Sequence, residues 1–176
     1  MLSYNKNVPV YLTEAQIKAK VKEMAAEITK EFGDEELTLI GTLKGSFVFL
    51  ADLARELPMP TKIEFLGVSS YGDQTHSSGE VKVTLDLKAP LNGKNVLLVE
   101  DIVDTGLTLS FVLEYLNARK PNKIKTASLL FKKVALKAKN LTIDYVGFEI
   151  PNRFVVGYGL DYAEYYRGLP YIGTLD

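Results

Sequence analysis

The spacing of hydrophobic and polar positions changes repeatedly along the chain, and each change marks an element. Between residues 13 and 32, Ile17, Val21, Met24, Ala25 and Ile28 recur at the intervals of one helix face. Thr13 and Gln16 supply a capping-box pattern at its start, and Gly33 offers a stop. Residues 37–41 form a short apolar run that reads as a buried strand. Ser46 is placed to cap a second helix reaching residue 57, where Pro58 ends it. A strand over 63–69 follows, after which residues 70–79 break all periodicity. Val81, Val83, Leu85 and Leu87 then alternate, as a half-buried strand should. Asn92-Gly93 marks a tight turn before a continuous apolar strand over 96–99. Residues 107–118 return to helical spacing, and strands are predicted over 124–131, 143–150 and 154–158.

This alternation predicts an α/β fold with a mainly parallel central sheet flanked by helices on both faces. No repeat, low-complexity tract or linker divides the 176 residues, so one domain spanning 1–176 is expected. Hydrophobic residues make up 47% and charged residues 24%, an ordinary balance for a packed domain. The net charge of −1, from 21 basic and 22 acidic side chains, argues against a broad nucleic-acid or membrane surface. Absence of cysteine removes disulfide and thiolate chemistry, and a lone histidine, His76, removes multi-histidine metal clusters and most histidine-dependent triads. No apolar run approaches the roughly 18 residues that span a bilayer. The N-terminal residues MLSYNKNVPVYL lack the basic and apolar stretches of a secretory leader, so a cytoplasmic enzyme is expected.

The chemistry concentrates in Val96-Leu-Leu-Val-Glu100-Asp101-Ile-Val-Asp104-Thr105-Gly106-Leu107-Thr108. A buried strand ends in two adjacent carboxylates and runs through Asp-Thr-Gly into a helix. Ligands of open α/β sheets gather outside the carboxyl ends of the strands. Thr105, Gly106 and Thr108 can offer hydroxyls and backbone N–H groups to a phosphate, and the helix start adds a favourable dipole. The carboxylates would repel that phosphate unless sugar hydroxyls and a magnesium ion engage them. A lone Asp101 or Asp104 would read as a helix cap. The whole acidic, glycine-containing unit reads better as a sugar-phosphate site.

The segment resembles the phosphoribosyl pyrophosphate signature of type I phosphoribosyltransferases, in their hypoxanthine-guanine branch. The likeness continues through Leu43-Lys44-Gly45-Ser46, Ser70-Tyr71, Ser128-Leu-Leu-Phe-Lys132, Val146-Gly-Phe-Glu-Ile-Pro151, Phe154-Val-Val-Gly-Tyr-Gly-Leu-Asp161-Tyr and Tyr166-Arg167. It implies the type I phosphoribosyltransferase fold, with a small hood and a mobile loop over residues 69–79. It implies transfer of a 5-phosphoribosyl group from phosphoribosyl pyrophosphate to hypoxanthine or guanine, giving IMP or GMP and pyrophosphate, with Mg²⁺ as cofactor. Asp104 matches the residue that takes the N7 proton of the purine. Residues 104–108 match the 5-phosphate loop, in which Leu107 stands where relatives are often polar. Lys132 matches the reader of the purine 6-oxo group, Phe154 the residue stacking on the base, and Val155 and Leu160 lie where backbone atoms approach it. Lys44, Gly45 and Arg167 match pyrophosphate contacts, with a non-proline cis peptide expected between Leu43 and Lys44. Ser70 and Tyr71 match loop contacts. Glu100 and Asp101 match ribose and metal contacts, Asp161 a second metal ligand. Residues 134–140 match weakly. A homodimer or homotetramer is implied.

Two other classes compete. Asp104-Thr105-Gly106 also spells an aspartic-protease motif, but one copy would require a homodimer, and that class is β-rich. A non-catalytic nucleotide sensor on the same fold is the stronger rival. The presence of both Asp104 and Lys132 favours catalysis.

Overall fold

The computed structural model describes residues 7–70 and 81–175, apart from the side chain of Ser70. The strands are β1 (Val10–Leu12), β2 (Leu37–Leu43), β3 (Thr61–Ser70), β4 (Val81–Leu85), β5 (Asn95–Val103), β6 (Lys123–Phe131), β7 (Tyr145–Glu149), β8 (Val155–Val156) and β9 (Ile172–Thr174). The helices are α1 (Glu14–Phe32), α2 (Phe47–Glu56) and α3 (Leu107–Asn117), with a 3₁₀ turn at Lys133–Ala135.

The main sheet has the order β4-β3-β2-β5-β6-β7. All its pairs are parallel except β3–β4 at one edge. Strand alternation sorts the core. Leu37, Leu39, Leu97 and Val99 face α1 and α2, while Ile40, Val96 and Leu98 face α3 through Leu109, Val112 and Leu116. Both faces are therefore buried, which explains the unbroken apolar run of β5. A separate antiparallel sheet, β1-β9-β8, forms the small hood. Among the described residues no helix is long and apolar enough to cross a membrane.

Several expected boundaries move. The capping box at Thr13 forms as expected, with the Gln16 N–H donating to Thr13 Oγ1 at 3.2 Å and the Thr13 N–H to Gln16 Oε1 at 2.9 Å. Ser46 precedes α2 but does not cap it. Its hydroxyl donates back to the Thr42 carbonyl at 2.7 Å, because Ser46 already holds helical backbone angles. β5 continues past the two carboxylates to Val103, so Glu100 and Asp101 lie within the strand rather than beyond it. The strand expected over 154–158 shrinks to two residues, since Gly157, Tyr158 and Gly159 all take positive φ. Alternation through Leu87 overruns β4 by two positions, although Leu87 itself is buried.

The parallel order sets the place for a site. From β2 the chain goes to β3 on one side, and β5 then returns to the other side of β2 before β6 and β7 follow outward. The crevice at the carboxyl ends of β2 and β5 is the switch point where such sheets take their ligands.

Candidate active site

A cavity of about 240 Å³ opens at that switch point. Leu43 and Gly45 from the end of β2, Glu100 and Asp101 from β5, and Thr105 and Thr108 from the loop into α3 all line it. The connection from Asp104 to Thr108 begins α3 at Gly106, whose φ of 79° suits glycine. An added Cβ there would lie 2.6 Å from Leu141 and 2.7 Å from Leu136. The Thr105 carbonyl accepts from the N–H groups of Lys137 at 2.9 Å and Ala138 at 3.1 Å. Residues 134–140, the weakest part of the resemblance, thus buttress the phosphate-loop candidate. The Leu107 N–H points to Thr105 Oγ1 at 3.5 Å.

The two carboxylates of β5 are held in unusual states. Burial, then the neighbouring charge of Asp101, pushes the Glu100 carboxyl up to about 8, against a hydrogen bond from Thr42. Thr42 Oγ1 donates to Glu100 Oε2, while Oε1 is buried without a hydrogen-bond partner. Removal from water raises Asp101 to about 6, opposed by backbone N–H groups and the charge of Arg167. Gly45 is required beside it, because a Cβ would lie 1.7 Å from Asp101 Oδ2. The peptide between Leu43 and Lys44 is cis, as the resemblance implies.

Asp104 and Lys132 meet across β5 and β6. Val103 pairs with Phe131, so the residues that follow them come together, with Lys132 Nζ 3.0 Å from Asp104 Oδ2. The lysine is buried and the aspartate half-exposed. Phe154 leaves much of its ring open, at 49% exposure, and contacts Tyr162 edge-on with centroids 5.4 Å apart. Val155 and Leu160 are buried.

Lys44 pairs with Glu164 at 2.7 Å. Arg167 pairs with Asp161 at 2.9 Å, reaches Glu164 at 3.4 Å and donates to the Gly159 carbonyl at 2.8 Å, leaving its Nε buried without a partner. Glu100, Asp101 and Asp161 do not form one ion-enclosing cluster among the described residues. Asp161 is engaged by Arg167 and by the Glu164 N–H at 2.8 Å. Thr42, Tyr162 and Glu164 were not singled out from sequence. Glu164 pairs with a residue 120 positions away, a contact no local pattern signals. Of the loop expected over 69–79, Ser69 and the backbone of Ser70 belong to β3, while Tyr71, His76 and the other residues to 79 lie outside the described residues, as does the side chain of Ser70.

A parallel sheet with an acidic strand end, a phosphate-loop candidate at its switch point and an antiparallel hood above it defines a type I phosphoribosyltransferase. The sequence model of the phosphoribosyl transferase domain matches residues 10–163. The hypoxanthine-guanine phosphoribosyltransferase of Dictyostelium discoideum is 49% identical over 170 residues, covering 94% of each chain. That of Bacillus subtilis is 49% identical over 166 residues, covering 94% of this chain and 92% of the relative. A crystal structure of a hypoxanthine-guanine phosphoribosyltransferase from Bacillus anthracis, with HEPES in its active site, superposes with a TM-score of 0.92 at 45% identity, covering 97% and 100% of the two chains. The chain belongs to the phosphoribosyltransferase family, in its hypoxanthine-guanine branch.

Proposed function

We infer that the protein transfers the 5-phosphoribosyl group of phosphoribosyl pyrophosphate to N9 of hypoxanthine or guanine, forming IMP or GMP and releasing pyrophosphate. The observation that carries this reading is the meeting of Asp104, which lines the acidic phosphate-loop cavity, with Lys132 at 3.0 Å. One carboxylate and one ammonium there suit a base that must lose a proton at N7 and be recognised at O6.

In this reading ribose 5-phosphate rests on residues 104–108, and its hydroxyls donate to Glu100 and Asp101. The purine lies against Phe154, with its 2-position facing backbone of Val155 to Asp161, Leu160 included. Asp104 accepts the N7 proton as N9 attacks the anomeric carbon. Lys132 has only donors, three of them, so it can hold the Asp104 carboxylate and the purine oxygen together. A 6-amino group presents no such acceptor, so adenine is rejected. Lys44, Gly45 and Arg167 face the diphosphate. Its oxygens would replace Glu164 and Asp161 as partners of the two cations.

The donor set fits magnesium. Glu100 and Asp101 are hard oxygen donors with no ion-pair partner among the described residues, and one Glu100 oxygen is orphaned. Glu100 and Asp101 would hold one ion with the substrate's oxygens completing its shell, and Asp161 would hold a second. A bound ion supplies charge neutralisation for the departing diphosphate. The protein acts as a cytoplasmic homodimer or homotetramer, with no nucleic-acid or membrane partner.

The test is nucleotide formation from phosphoribosyl pyrophosphate and Mg²⁺ with hypoxanthine, guanine, xanthine and adenine supplied separately. Turnover with 6-oxopurines and none with adenine is expected. Folded protein that binds nucleotide but turns over no base would transfer the assignment to the sensor reading.

A further inference from the structure

The hood loop carries three consecutive residues with left-handed backbone, Gly157 at φ 97°, Tyr158 at φ 52° and Gly159 at φ 98°. Glycine suits such positions, but a bulky side chain between two of them is uncommon. Tyr158 is 4% exposed, and its phenol donates to Asp52 on α2. Burial and the bonded carboxylate hold that phenol well above the ordinary tyrosine range, so it remains a donor.

The loop is wedged at both ends. A Cβ on Gly157 would lie 2.1 Å from the Tyr171 carbonyl oxygen, and one on Gly159 would lie 2.1 Å from that of Gly45. Gly159 also grips Arg167 twice, its N–H donating to the Arg167 carbonyl at 2.9 Å and its carbonyl accepting from Nη1 at 2.8 Å. On the other side of the contact, α2 begins two residues after Gly45. One side-chain bond therefore joins the helix that follows Lys44-Gly45 to the loop that carries Asp161 and leads to Arg167. Neither Tyr158 nor Asp52 lines the cavity.

We propose that Tyr158 and Asp52 are positioning residues for the diphosphate, their hydrogen bond fixing the spacing between Lys44-Gly45 and Arg167. The proposal rests on the reading of those three residues as diphosphate contacts. Asp52 also pairs with Arg55, so deleting the phenol oxygen leaves no orphaned charge. That separates positioning from bulk stability.

The experiment measures calorimetric binding of magnesium pyrophosphate to the whole protein, together with KM for phosphoribosyl pyrophosphate and for hypoxanthine. Tyr158→Phe is expected to weaken pyrophosphate and raise KM for phosphoribosyl pyrophosphate about tenfold, with KM for hypoxanthine unchanged. Tenfold corresponds to about 1.4 kcal/mol, within the reach of one hydrogen bond to a charged group. Asp52→Ala should reproduce the loss, and Asp52→Asn, which keeps an acceptor, should largely restore binding. This series decides the matter even if Tyr158→Phe folds poorly. Pyrophosphate affinity equal to wild type in the variants overturns the proposal, whether or not their Tm falls. Wild-type protein that binds no pyrophosphate overturns the site assignment and the proposal with it.

Discussion

Replacing Glu100 by glutamine should stabilise the protein while damaging its site, and the gain should depend on pH. Burial and the adjacent Asp101 raise the Glu100 carboxyl from 4.5 to about 8. Between those values the folded protein holds a proton that the unfolded chain has released. Stability therefore falls as pH rises through that window. The interval is 8 − 4.5, or about 3.5 pH units, and each unit is worth 1.36 kcal/mol, giving an upper bound of about 5 kcal/mol. Relaxation and water entry around an ionised buried group reduce this, and about 2 kcal/mol is expected. Glutamine matches the neutral acid in shape, and its amide oxygen can still accept from Thr42 Oγ1. In metal-free buffer, Glu100→Gln should melt close to wild type near pH 5 and about 4–8 °C higher at pH 8, for a chain of this length. Thermal melts from pH 5 to 9 supply the test. A difference in Tm that stays constant with pH, or a variant less stable at pH 8, refutes the reasoning. Under the proposed function, nucleotide formation by the same variant should fall, because the residue proposed to hold ribose and metal can no longer ionise.

Two further perturbations probe other parts of the site. Asp104→Asn removes the acceptor proposed for the N7 proton and should lower kcat about 10²- to 10⁴-fold. Its Tm should fall modestly, because the buried Lys132 ammonium keeps an amide oxygen but loses its counter-charge, and unchanged turnover would remove Asp104 from the catalytic role. Gly45→Ala places a methyl 1.7 Å from Asp101 Oδ2 and must displace that carboxylate, so activity should fall about 10²-fold. Gly168→Ala, where the added methyl meets open space beside Arg167, is the control and should retain near-normal activity.

Features written in neighbouring residues could be read from the sequence. The Thr13–Gln16 capping box, the 3.6-residue period of α1 and the apolar run of β5 each depend on a few adjacent positions. The acidic segment from Glu100 to Thr108 was legible for the same reason, because one strand-to-helix connection carries it. β1 and β9 were not legible. Each has three residues, too few to establish a period, and their pairing joins Val10 to Gly173 across nearly the whole chain. The strand expected over 154–158 failed because alternation does not report φ, and Tyr158 gives no local sign of left-handed backbone. Ser46 looked like a cap because its residue type fits, but its backbone is already helical and its hydroxyl donates to the Thr42 carbonyl instead of accepting from the helix. Leu43–Lys44 was expected to be cis only through the resemblance. Lys44–Glu164 and Tyr158–Asp52 depend on the hood's placement and are invisible to local spacing.

Under the proposed function, the charges of the site favour a magnesium-bound diphosphate sugar over a bare phosphate. Three cations already have internal partners, Lys132 with Asp104, Lys44 with Glu164, and Arg167 with Asp161 and Glu164. Glu100 and Asp101 have no such partner among the described residues, and lie high in pKa because ionising them there is costly. A bare phosphate could compete for the cations but would add repulsion opposite the two acids. The proposed ligand, a diphosphate sugar with a divalent ion, would answer both demands, offering oxygens to Lys44 and Arg167 and positive charge to Glu100 and Asp101. The ion pair it would displace at Lys44 is exposed and therefore weak. Exchange there would be easy, whereas the buried acids would gain a counter-charge only with the cation. The raised pKa of Glu100 and the pairing of Lys44 are thus both accounted for by the proposed ligand, which carries both signs of charge.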